Sequence, residues 1–474
     1  MSVDRPCRYL VAALLWTGPA TARTWELPVM ATWTEDPRTT VTLAWERTEA
    51  APAWVVYGEE GSDSSLRAEQ PEPAHRHVFT LRNLQPGTRY RYQVHGADGY
   101  EVAGRFWTAP ADSARPFTFV LHNDLQGGIN PEAAHAVAAG VIQADPDFVL
   151  STGDLADSRY AADYGGVLAS WRLFFECLGD ELAQFVFQSV CGNHDEPENP
   201  DSFWHRLIEL PDSHDYTFSV GSARFIMVDS TESEAPSRTA WLARELQRAA
   251  FDPSVTWVVP AFHRPPFSAG ERGGDGSIRD WWVPLFTKYE ADLVLSGHAH
   301  TYQRTRPIDG VSYLVSGGGG GWPYQVDPQA PFIAHATSTF HFAWFRVTPD
   351  MIEIEGRLPD GTVFDRGALA AGRHVRVEPV FPVRGSDCTI WYDPAGGPLA
   401  ESPQVTLHLG RDGFSEFILD QPMERESATG RWRATCTVPE SAKWHLAFCF
   451  FDPESHRWHN NHAANWQTLV AREW

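Results

Sequence analysis

Two rhythms of hydrophobic and polar positions divide the chain. From about residue 28 to 110 apolar residues alternate with polar ones, as in Val41, Leu43 and Trp45 and again in Tyr90, Tyr92 and Val94. Such period-2 runs, broken by Pro, Gly and Asp turns, predict the short strands of a β-sandwich. Within it, Leu84-Gln85-Pro86-Gly87-Thr88-Arg89-Tyr90 predicts a tyrosine corner, in which the Tyr hydroxyl bonds back to upstream backbone. The Pro- and Ala-rich stretch 109–116 reads as a linker. Beyond it, apolar runs alternate with helix-like segments, notably at 131–143 and 237–250, which predicts an α/β domain with a buried sheet over 115–370. A break near 366–374 is followed by short strands again, so 374–474 reads as a second β-sandwich. The five glycines Gly317–Gly321 predict a tight turn after the strand 311–316.

Length and charge narrow the classes. A chain of 474 residues suits two to four domains. With 61 acidic against 38 basic residues the net charge is -23, which argues against a nucleic-acid coat and against a polybasic membrane binder. The start of the chain joins a basic Arg5-Pro6-Cys7-Arg8 to an apolar run Tyr9–Trp16 and then Ala20-Thr21-Ala22, the outline of a secretory signal over 1–22. This places the protein in secreted or periplasmic space. No other stretch approaches the ~18 apolar residues of a membrane span. Six cysteines show no C-x-x-C spacing, which argues against a zinc ribbon or a thioredoxin-like centre. They read as buried thiols, with Cys177 and Cys191 the alternative pair.

The chemistry sits in the central domain. Five apolar runs each end in metal-capable residues: Phe117–Leu121 before His122-Asn123-Asp124-Leu125-Gln126, Phe148–Leu150 before Gly153-Asp154-Leu155-Ala156-Asp157, Phe185–Val190 before Gly192-Asn193-His194-Asp195, Trp257–Pro260 before Ala261-Phe262-His263, and Leu293–Leu295 before Gly297-His298-Ala299-His300. Sites on α/β sheets form at the carboxyl ends of strands, so residues spread over ~180 positions can converge there. Imidazoles and carboxylates without thiolates suit two adjacent ions of zinc, iron or manganese. Two ions ~3.5–4 Å apart can clamp the attacking and leaving oxygens of a displacement at phosphorus.

This order of blocks resembles the calcineurin-like metallophosphoesterase superfamily. The preceding sandwich and the run Gly297-His298-Ala299-His300-Thr301-Tyr302-Gln303-Arg304 resemble its purple acid phosphatase branch, whose N-terminal domain is fibronectin type III-like. The resemblance implies an αββα fold and a dinuclear centre. It makes Asp154 the bridging carboxylate, places Asp124 and His300 on the first metal, and places Asn193, His263 and His298 on the second. It gives His194 the task of orienting the phosphate or protonating the leaving oxygen, with Asp195 holding that imidazole in place. A water shared by the two ions would then supply the attacking hydroxide. Two departures stand out. The position that carries a colour-giving tyrosine in purple acid phosphatases is Asp157 here, with Tyr160 out of register, which implies an enzyme without the purple charge-transfer band. Where relatives place a histidine two residues after the first aspartate, this chain has Gln126. Gln126 and Asp157 are therefore additional candidate ligands.

Hydrolysis of phosphomonoesters is the first expectation, and hydrolysis of phosphodiesters by the same centre is the second. A third reading comes from 374–474, which resembles starch-binding carbohydrate-binding modules through Ile390-Trp391-Tyr392-Asp393-Pro394 and Trp458-His459-Asn460-Asn461-His462. That resemblance makes His408, Trp458 and Trp466 candidates for contact with an α-glucan, and the protein a glucan binder with an inactive phosphatase-like domain. The loop 268–280, with Glu271, Arg272, Asp275 and Arg279, is a candidate mobile lid.

Overall fold

The structure, a computed structural model, describes residues 26–470 apart from 127–128, 159–163, 196–203, 212–213, 373, 380–381, 396, 412–413, 415, 428, 443–444 and 462–464. The signal-like segment 1–22 and Tyr160 lie outside the described residues.

The N-terminal region consists of strands Leu27–Thr32, Val41–Glu59, Leu66–Leu81, Arg89–Gly96 and Glu101–Trp107. Trp33, Val41, Leu43, Trp45 and Val55 are buried along the inward face of the alternation. The tyrosine corner forms: the Tyr90 hydroxyl accepts the Gln85 N–H at 2.8 Å. This region is not a separate bead. Leu27–Thr32 pairs in parallel with the central strand Val186–Ser189 through Ala31 and Val186, which joins both regions in one 11-stranded sheet. Nor is 109–116 a free tether, since Ala109 is buried and its N–H donates to Pro37 O at 2.9 Å.

Two sheets face each other in the central domain. The first contributes Phe117–Leu121, Phe148–Ser151 and Val186–Ser189 as parallel neighbours, extended by Phe342–Val347, Met351–Arg357 and Val363–Ala370. The second has seven strands, with Ala223–Met227, Trp257–Ala261, Leu293–Ser296 and Ser312–Ser316 running parallel. Their inner faces meet through aromatics: Phe119 stacks on Phe345 at 4.2 Å and meets Phe225 of the opposite sheet edge-on at 5.4 Å. Strands buried on both faces explain the continuous apolar runs.

Helices cover the outer faces and complete the αββα layering. Pro131–Ala144 begins at Asn130, whose side chain accepts the Ala133 N–H, with Pro131 at the first helical position. It ends at Asp145 in the left-handed conformation and buries Ala134, Val137, Ala138 and Val141. Beside it lies Tyr164–Gln184, which buries Trp171, Phe174 and Leu178. Pro236–Phe251 covers the second sheet with Leu242, Leu246 and Ala250.

The C-terminal region is a pair of small antiparallel sheets of four and five strands. It packs on the outer helices: Gln247 donates to the Thr468 hydroxyl at 2.9 Å, and Asn461 to Thr287 O at 2.9 Å. Trp466 belongs to this core. It is 1% exposed and packs against Phe450 and His459, so it offers no face to a sugar. His408 and Trp458 do reach the surface, where Trp458 stacks on Phe451 at 4.6 Å and His408 bonds Asp420 at 2.6 Å. Cys177 and Cys191 are buried and are not joined in a disulfide. Among the described residues no helix is long and apolar enough to cross a membrane.

Candidate metal centre

The carboxyl ends of both sets of parallel strands open on the same edge of the domain, and the five sequence blocks form the loops there. These loops are knitted together by backbone bonds within and across the two sheets. Gly319 N–H donates to Asn123 O at 2.9 Å, Gly321 N–H to Asp124 O at 2.8 Å, and Gly297 N–H to His263 O at 3.0 Å. Several of the residues presented sit in the left-handed region: Asp124 (φ 57), Gln126 (φ 49), Asp154 (φ 55) and His298 (φ 68). Non-glycine residues pay strain to adopt this conformation, and a cluster of them marks a place where the surroundings dictate side-chain direction.

Asp124 and Asp154 lie at the bottom of the site, essentially inaccessible. Asp124 accepts the His298 N–H at 2.9 and 3.0 Å. Burial, then the neighbouring Asp154, pushes its carboxyl well above the usual range. Asp154 accepts the His194 N–H through Oδ1 at 2.8 Å, and its Oδ2 lies 3.1 Å from His263 Nε2. Burial works against its ionisation too, but His263 and His194 hold it below the usual range.

The imidazoles are oriented from behind. His263 Nδ1 donates to Thr152 O at 3.0 Å, which directs Nε2 inward. His300 Nδ1 donates to Trp322 O at 2.9 Å, leaving Nε2 3.7 Å from Asp124 Oδ1 and without a hydrogen-bond partner. Burial keeps both His298 and His300 neutral, at about 3 and about 4 respectively, so each presents a lone pair over the working pH range. Asp154, His263 and His298 offer donor atoms all within 4.8 Å of one another.

These donors fit cations. His298 Nδ1 stands 3.2 Å from His263 Nε2, a nitrogen whose ring is already committed as a donor on its far side. Among the described residues, both the oxygen and the nitrogen of the Asn193 amide are buried with no hydrogen-bond partner, as is His300 Nε2. A buried acceptor without a partner is costly, and the lone pairs of Asn193 Oδ1 and His300 Nε2 are of the kind that a bound cation satisfies, as are the two buried carboxylates. Gln126 donates to Asp154 Oδ2 at 3.4 Å, so it reaches the centre as a hydrogen-bond donor.

The structure redistributes two roles. His194 Nδ1 bonds Asp157 Oδ1 at 2.5 Å, so Asp157 is the carboxylate that steadies this ring. Burial opposes charge on His194, but Asp157, Asp154 and Asp195 raise its pKa above the ordinary value. Asp195, to which the resemblance gave that task, is otherwise engaged. Its two oxygens accept four backbone N–H groups, from Leu155, Ala156, Asp154 and Gly192, at 2.7 to 2.9 Å. It is the post to which the Asp154 and Asn193 loops are tied.

Of the residues around the site, Glu181 and His341 gave no signal of their own in the sequence, and the glycine run serves an end other than a tight turn alone. None of the glycines 317–321 has a positive φ. They are needed for close approach: a Cβ on Gly318 would strike His341, and one on Gly321 would strike His300. Beneath them His122 and Glu181 form a fully buried pair at 3.1 Å. Nor is the 268–280 loop loosely hung. Glu271 N–H donates to Gln325 O at 3.3 Å, Asp327 N–H to Ala269 O at 3.0 Å and Asp275 N–H to Pro265 O at 2.8 Å.

Comparison with known proteins matches two regions of the chain. Residues 117–302 match the calcineurin-like phosphoesterase family, and residues 27–112 match the purple acid phosphatase N-terminal domain. The chain therefore carries a calcineurin-like metallophosphoesterase domain joined to a purple acid phosphatase N-terminal domain. It is similar to human (Homo sapiens) acid phosphatase type 7, at 27% identity over 54% of this chain and 62% of that protein. It is likewise similar to an uncharacterized protein of Mycobacterium tuberculosis, at 26% identity over 55% of this chain and 56% of that one. The chain thus spans less than two thirds of these relatives' lengths. A solved purple acid phosphatase from yellow lupin (Lupinus luteus) seeds shares the fold, with a TM-score of 0.62 and 16% identity over 73% of this chain and 74% of the other.

Proposed function

We propose that the protein is a two-metal phosphoesterase that hydrolyses phosphomonoesters. The observation that carries this reading is the grouping of Asp154, His263 and His298 donor atoms within 4.8 Å of one another beside Asp124, with His300 Nε2 and the Asn193 amide buried and without a hydrogen-bond partner among the described residues. Asp124 and His300 would hold one ion, Asn193, His263 and His298 the other, and Asp154 would lie between them. Zinc, iron and manganese all suit such nitrogen and oxygen donors. With Asp157 in the tyrosine position, no charge-transfer colour is expected. Bound cations supply Lewis acidity and charge neutralisation for displacement at phosphorus.

The chain's own residues do the rest. Asp157 anchors His194 Nδ1, and Nε2 lies 3.9 Å from Asp154 Oδ2, so the ring edge faces the centre. A protonated His194 there can bind a phosphate oxygen or give its proton to the leaving oxygen. The raised pKa keeps that proton available toward neutral pH. Asp195 fixes the backbone that aims Asp154 and Asn193. The names of relatives as acid phosphatases support monoesters over diesters. The signal-like Tyr9–Trp16 run supports a secreted or periplasmic setting. The test is Asp154→Asn assayed on phosphomonoesters and phosphodiesters: turnover should be abolished, and full activity would refute the assignment.

A further inference from the structure

One cation beside the centre has no role in that account. The segments around 269–271 and 325–327 pair through Glu271, Gln325, Ala269 and Asp327, with an isolated bridge between Gly270 and Val326. This short ladder forms a wall next to the metal centre, and Tyr324 begins it. Tyr324 N–H donates to His300 O at 3.1 Å, and its ring stacks on the His300 imidazole at 4.3 Å with an interplanar angle of 16°. On Tyr324 in turn rests the Arg272 guanidinium, 4.6 Å from the ring centroid. Guanidinium, phenol and imidazole therefore run in sequence from the rim to a candidate metal ligand.

The other arginines of this loop are engaged. Arg264 lies 3.8 Å from Asp275, and Arg279 donates to Pro266 O at 2.7 Å. Arg272 is exposed and has no carboxylate at ion-pair distance among the described residues. In a chain with 61 acidic and 38 basic residues, a carboxylate partner would have been easy to supply. Stacking over an aromatic ring limits a guanidinium's freedom but leaves its in-plane N–H donors open, the geometry that takes carboxylate or phosphate in a bidentate manner.

We propose that Arg272, held by the Tyr324 stack, is a specificity-determining subsite for a second anionic group on the leaving portion of the substrate. The substrate class is then a phosphomonoester bearing a carboxylate or a second phosphate. This rests on the phosphomonoesterase reading above.

The test compares 2-phosphoglycolate with ethyl phosphate, which differ in the distal carboxylate, on the metal-loaded full chain and its Arg272→Gln and Arg272→Lys variants. The preference for phosphoglycolate, taken as the ratio of the two kcat/KM values, should fall about tenfold in Arg272→Gln, the loss of one charge-assisted contact. Arg272→Lys should recover part of it. A ratio unchanged in Arg272→Gln, with binding of methylenediphosphonate relative to methylphosphonate also unchanged, overturns the proposal. Calorimetric binding of phosphonoacetate, methylenediphosphonate and methylphosphonate gives a readout independent of turnover. Arg272→Gln should weaken one of the first two relative to methylphosphonate, and which one identifies the anion as carboxylate or phosphate. Equal weakening of all three would overturn the subsite. Absence of wild-type hydrolysis with this discrimination intact would refute the phosphomonoesterase reading and leave the subsite standing.

Discussion

Replacing Asp195 with Asn tests whether this carboxylate is a backbone anchor or a partner of His194. In the folded protein Oδ1 accepts from Leu155 and Ala156 and Oδ2 from Asp154 and Gly192, all at 2.7 to 2.9 Å, in a side chain with no solvent exposure. An amide keeps one oxygen and so can serve two of these donors. Its NH2 then faces the other two N–H groups, donor against donor. A buried donor left unsatisfied costs about 1–3 kcal/mol, so two place the expected destabilisation at about 2–6 kcal/mol. Urea unfolding followed by near-UV circular dichroism, with free energies extrapolated to water, measures this directly. The same variant should also lose metal affinity, because the Asp154 and Asn193 loops share the anchor. Stability within about 0.5 kcal/mol of wild type, a change typical of an uninvolved surface substitution, would refute the anchoring argument.

Asp157→Asn should separate from Asp195→Asn in kind. Asp157 raises the His194 pKa, so removing its charge lowers that pKa. The protonated imidazole is then lost at lower pH, and the alkaline limb of the kcat/KM profile should move down by about 1 pH unit; an unmoved limb would contradict the pairing. In the C-terminal sandwich, Trp466→Ala should cost about 3–5 kcal/mol in denaturant unfolding, as for a buried aromatic. Trp458→Ala, from a side chain 45% exposed, should cost far less, and equal losses would misplace the core.

Much of the layout was legible because it follows from local pattern. The predicted strand 117–121 is observed as Phe117–Leu121, and the predicted helix 131–143 as Pro131–Ala144. Both carry their own signals, an apolar run and an Asn-Pro start. The metal-capable residues were legible for a related reason: each follows a buried strand, and parallel strands deliver their ends to one edge. Roles that depend on where a loop settles were not legible. The sequence offers Asp157 as a candidate ligand and Asp195 as the neighbour of His194, and only the fold decides that Asp157 meets the ring and Asp195 four N–H groups. The pairing of Ala31 with Val186 spans too much chain for any local rhythm to reveal. Trp466 shows the converse limit, since a tryptophan suits a sugar platform and a core equally until its burial is known.

In the proposed centre Asp154 lies between two cations held by the other converging residues. Metal content by inductively coupled plasma mass spectrometry, on wild type and Asp154→Asn purified from metal-supplemented growth, tests it most directly. Wild type should carry close to two equivalents per chain, and the variant one or fewer with no phosphoesterase turnover. A wild-type chain that retains no metal, or a variant that keeps both equivalents, would contradict it.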